Sequence, residues 1–125
     1  MNEKFIKSIY KTIVEEGRET YRDLYENTKV TEQTVDYWKR ALELYHSFDN
    51  IEKKVFIDII EQTIIDTLSS VLGVLDGSSS LDGINFEFDV KINGVSTEDE
   101  LQDVSVIPVL LFLVVKTLQC RNIAM

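Results

Sequence analysis

The chain has 125 residues, 44% of them apolar, and its 13 Lys plus Arg against 22 Asp plus Glu leave a net charge of -9. That length and apolar content suffice for one domain with a core and no covalent staples, while the charge disfavours wholesale attraction to nucleic acid or anionic lipid. Cys120 is the single cysteine and His46 the single histidine, which excludes an intramolecular disulfide and any Cys/His set for zinc.

The first residues lack the continuous apolar run and small-residue cleavage site of a secretory signal, so a cytoplasmic setting and no membrane association are expected. From about Lys4 to Asn27 the pattern is helical. At 100° per residue, Ile6, Ile9, Ile13 and Leu24 form one face, flanked by Phe5, Tyr10, Val14, Tyr21 and Tyr25. Lys4, Lys7, Lys11, Arg18 and Arg22 share one arc, and Glu15, Glu16, Glu19, Asp23 and Glu26 share the next, so Glu15 with Arg18 and Glu19 with Arg22 are candidate pairs. Gly17 costs about 1 kcal/mol in a helix interior relative to Ala, and marks a kink, a frayed point or a close approach by a neighbouring helix.

Residues 27–30 read as a connector, and Thr31 suits the N-cap of a second helix running to about Tyr45, with Val35, Trp38, Ala41, Leu42 and Tyr45 facing inward. His46, at the end of that helix, suits interaction with the helix dipole. Asp49 with Glu52 three residues on has the form of a capping box for a third helix, with Phe48 placed to staple it. This third helix, Ile51 to Leu75, is the organising element. Lys54, Asp58, Glu61, Gln62, Asp66 and Ser69 draw one narrow polar stripe along it, and nearly everything else is apolar, which predicts cover on several sides.

A flexible loop is expected over residues 76–83, with Gly73 and Gly77 both suited to a helix C-terminus. Ile84 to Ile92 alternates strictly between apolar and polar residues, the best strand signal in the chain, and Asn93-Gly94 reads as a tight turn. Ser96 to Leu101 carries the cap and acidic first turn of a further helix. Every acidic residue lies at or before Asp103, and the apolar run from Val104 to Val115 is too short for the roughly 20 residues that a membrane span needs. Three readings of this tail compete: a strand pairing with 84–92, a helix kinked at Pro108, or an altered reading frame.

Glu15-Glu16-x-x-Glu19 places acids four residues apart on one helical face, an arrangement that can hold Mg²⁺ with a second acidic pair. The motif resembles the EExxE half of the signature of the all-α MazG-type nucleotide pyrophosphohydrolases. The family's partner motif, ExxD, does not occur on either of the next two helices, and the nearest match is Glu100-x-x-Asp103. The resemblance implies a carboxylate-based, Mg²⁺-dependent helical-bundle hydrolase, for which Glu15, Glu16 and Glu19, with Asp58 and Glu61, are the candidate metal ligands. The basic arc Lys4, Lys7, Lys11, Arg18 and Arg22, bordered by Tyr21 and Tyr25, is a candidate partner-binding face. No phosphate-cradling glycine loop and no calcium loop occurs in the sequence.

Together these readings predict a mainly α single domain over residues 1–125, a three- to four-helix bundle around a long central helix with a small strand or hairpin near residues 84–95. The function expected is a small acidic cytoplasmic binding or regulatory protein, inhibitor- or immunity-like, without a catalytic centre or cofactor. Its expected partner is a basic protein, with a homodimer as a further option. The hydrolase is the alternative.

Overall fold

The computed structural model describes residues 1–101, and the apolar tail with its three readings lies outside them. The described chain is mainly helical with one small antiparallel sheet: α1 (Asn2–Ile9), a π-helical segment (Tyr10–Glu15), α2 (Glu16–Asn27), α3 (Asp36–Ser47), α4 (Asn50–Leu75), β1 (Lys91–Ile92) and β2 (Val95–Ser96). No helix among the described residues is long and apolar enough to cross a membrane. Two compact units are present, Tyr10–Ile64 and Met1–Ile9 with 65–101.

In the unit Tyr10–Ile64 the core is Tyr25, Leu42, Tyr45 and Ile57, packed by Trp38, Ala41, Phe48, Phe56 and Ile60. The aromatic rings interlock: Tyr25 meets Phe56 edge-on at 5.0 Å, and Tyr45 lies 5.3 Å from Tyr25 and 5.7 Å from Phe56. Each such pair contributes about 0.5–1.5 kcal/mol beyond its buried area. The capping box forms reciprocally, the Glu52 N–H donating to Asp49 Oδ1 at 2.8 Å and the Asp49 N–H to Glu52 Oε1 at 2.9 Å. Phe48 packs at 5.7 Å on Phe56, two turns into α4, instead of on the fourth residue after the cap.

Three expectations are corrected in this unit. Ile13 is 48% exposed and Val14 1%, because a π-helical turn carries an extra residue and advances the helix face beyond where a 100° step places it. The second helix begins at Asp36, not at Thr31: the Thr31 N–H donates to the Thr34 hydroxyl oxygen at 2.9 Å in a separate turn. Val35 therefore precedes the helix and is 63% exposed, while Leu42 and Tyr45 are buried as expected.

In the other unit, Ile6, Leu72 and Leu101 are buried, with Phe5, Leu68, Val90 and Ile92 packed on them. Gly77, at φ +78°, ends α4. The Ser78 N–H reaches the Gly73 carbonyl at 3.0 Å and the Gly77 N–H the Val74 carbonyl at 3.1 Å, the Schellman pattern that a left-handed glycine permits. The Asp76 carboxylate accepts the Leu101 N–H at 3.1 Å.

Asn93 and Gly94 both have positive φ, +52° and +82°, and join β1 to β2 with Ile92 opposite Val95. This is the two-residue hairpin turn that Asn-Gly favours. Asp82-Gly83, expected as part of a flexible loop, makes a second such turn, closed by two hydrogen bonds between Leu81 and Ile84. The alternation over 84–92 yields a strand only at Lys91–Ile92, and Ile84, Phe86 and Phe88 are exposed. No helix starts at Ser96, because Ser96 is in β2 and Glu98 and Asp99 both take left-handed φ.

Candidate functional site

The middle of the α4 polar stripe is turned inward: Glu61 is buried and Asp58 and Gln62 half-buried, while Lys54 and Asp66 are exposed. Arg18, on α2, reaches across to Asp58 at 2.8 Å and also bonds Glu61, whose residue is only 8% exposed. Burial pulls the Arg18 pKa down, but hydrogen bonds and charge from Asp58 and Glu61 outweigh it and leave the guanidinium above its ordinary value. The Tyr10 phenol is pushed up by burial first, then by the charges of Glu61 and Glu15. Arg18 thus clamps α2 to α4, because its planar fork has several donors and can serve two carboxylates at once.

This clamp uses both α4 residues of the expected ligand set. Glu15, Glu16 and Glu19 are exposed, and Glu19 meets Arg22 at 3.4 Å as the spacing predicts. Arg18 leaves its own helix, where Glu15 was its candidate partner. Among the described residues, no group of three or more His, Cys, Asp or Glu is arranged to hold a metal ion. Asp103 of the distant ExxD match lies outside the described residues.

The basic arc is divided in the same way. Lys7 pairs with Glu3 at 3.2 Å, Arg18 with α4, and Arg22 with Glu19; Lys4 and Lys11 are exposed. Tyr25 is buried in the aromatic core, and Tyr21 remains on the surface.

What sequence reasoning missed is an apolar stripe left open. Ile51, Val55 and Ile59 are 76%, 51% and 58% exposed, and spacing of four places them on one side of α4. They line a groove of about 250 Å³ with Phe48, Phe56 and Glu52, so its only charged lining residue is a carboxylate. The run Ile51 to Leu75 carries so many apolar residues that periodicity alone does not show which of them stay uncovered.

Fold and groove together define a mainly α protein with a small hairpin that presents an open, acid-edged apolar surface. No known protein family, curated protein or solved structure matches the chain.

Proposed function

We propose that the protein is a small cytoplasmic binding or regulatory module, inhibitor- or immunity-like and without a catalytic centre, that captures a basic partner. The observation carrying this reading is the groove along α4, where Ile51, Val55 and Ile59 lie open beside Glu52 in a chain of net charge -9. Its apolar floor supplies affinity, and the acidic field speeds encounter and rejects acidic competitors. The fitting partner segment is an amphipathic helix with apolar residues on one face and Lys or Arg beside them. A second copy of this chain is a poorer occupant, because it brings the same negative charge to the same acidic edge.

The test is fluorescence anisotropy with a labelled Lys-rich amphipathic helical peptide, at about 50 and about 300 mM salt. The expected result is saturable binding that weakens with salt and is lost in Val55→Lys. Equal binding by the wild type and Val55→Lys would overturn the reading. The hydrolase alternative makes a separate prediction: a higher melting temperature in Mg²⁺, abolished by Glu16→Gln.

A further inference from the structure

A second cavity in the unit Tyr10–Ile64 has the opposite electrostatic character to the rest of the protein. It measures about 210 Å³ and is lined by Arg22, Glu26, Tyr45, Asn50, Lys53, Lys54 and Ile57. Three cations therefore converge on it against one carboxylate, an excess of two positive charges in a chain whose acids outnumber its bases by nine.

The single carboxylate is already engaged, since Glu26 accepts the hydrogen bond of the Tyr45 hydroxyl. Lys53 Nζ sits 5.2 Å from the centre of the Tyr45 ring, which holds its ammonium at the cavity wall by a cation–π contact. Neither Lys53 nor Lys54 has an ion-pair partner among the described residues. The Lys53 and Lys54 charges repel each other beside the cavity, and a bound anion would offset that repulsion; the Arg22 side chain, 46% exposed, is held at 3.4 Å by Glu19 and would share its donors with the anion. Asn50 also lines the cavity, and its side-chain amide is a neutral hydrogen-bond donor.

We propose that this cavity binds a small phosphate dianion, with Arg22, Lys53 and Lys54 as its cationic ligands and Asn50 as a neutral donor. Size supports a small ion or a phosphate head group, because the volume falls below the roughly 300–1,000 Å³ of sites for drug-sized ligands. Arg22 presents a fork of donors to the phosphate oxygens, and the two lysines act as point charges. The cavity is distinct from the apolar groove: Arg22 and Glu26 come from α2 and Tyr45 from α3, and none of its lining residues is shared with the groove.

The experiment is an NMR titration of the uniformly ¹⁵N-labelled full chain with inorganic phosphate at constant ionic strength. Saturable shifts concentrated at residues 22, 26, 45, 50, 53 and 54 are expected. Arg22→Gln combined with Lys54→Gln, at surface positions that leave the aromatic core intact, should weaken binding by about tenfold or more. Lys29→Gln, in the connector after α2, should leave the affinity unchanged and so controls for unspecific attraction to lysine. Preserved spectral dispersion in each variant establishes that it is folded. The proposal is overturned if phosphate produces no saturable shift, if binding survives Arg22→Gln with Lys54→Gln in the folded variant, or if Lys29→Gln weakens it equally.

Discussion

Replacing Arg18 by Met keeps the aliphatic stem and removes the charge that joins α2 to α4. Two carboxylates three residues apart on α4 then face each other without their shared cation. Glu61 dominates the cost, because its side chain is 10% exposed, whereas the Asp58 side chain, 35% exposed, keeps access to water. Breaking a fully buried pair costs about 3–5 kcal/mol and an exposed one about 0–1. The loss expected here is about 2–3 kcal/mol. For a chain of this size that corresponds to roughly 10 °C in melting temperature. Urea unfolding followed by circular dichroism reads the change in midpoint at constant slope. The same argument requires that Glu61→Leu, added to Arg18→Met, recovers most of the loss, because it removes the stranded buried charge and leaves an apolar side chain of similar volume. A loss below about 0.5 kcal/mol, or a double variant no more stable than Arg18→Met, would refute the clamp.

Two further outcomes follow from the same unit. Tyr45 is pushed up to about 12, by burial first and then by its bond to Glu26 and that residue's charge. Its native pKa lies above the unfolded value near 10, so its contribution to stability is intact below pH 10 and disappears as pH rises towards 12. That loss is on the order of 2–3 kcal/mol, and urea midpoints measured between about pH 9 and 12 should fall by clearly less in Tyr45→Phe than in the wild type, the remainder coming from Tyr10 and Tyr25, whose phenols burial also pushes up. Gly17 lies in α2, where a Cβ would meet Ile64 Cδ1 at an ordinary 3.7 Å. Gly17→Ala should therefore stabilise the chain by about 0.5–1 kcal/mol, and a lower melting temperature instead would contradict the spacing found there.

The local signals in the sequence were sufficient for several elements. The capping box at Asp49 and Glu52, the Asn93-Gly94 turn and the inward residues Leu42 and Tyr45 each depend on a few neighbouring positions, and each formed as read. Signals that need a distant partner were less secure. The alternation from Ile84 to Ile92 describes a strand only where another strand pairs with it, which among the described residues happens at Lys91 and Ile92. Likewise, Ser96 to Leu101 has the residues of a helix start, but the left-handed backbone at Glu98 and Asp99 keeps helical backbone from beginning at Ser96, and it is first reached at Leu101.

The candidate sites show the same division. Sequence alone determined that α4 is a long, mostly apolar helix with one polar stripe, because the order of residues around a helix follows from its period. Only the tertiary structure decided which side was covered. Arg18, forty residues before Asp58, compensates Asp58 and Glu61 and lets the middle of the stripe turn inward, while Ile51, Val55 and Ile59 stay open. The π-helical segment similarly exchanges Ile13 for Val14 at the buried face. The phosphate cavity exists only because folding brings Arg22 beside Lys53 and Lys54. A helical period fixes which residues share a side; it holds no information about which side meets another element or what charge waits there.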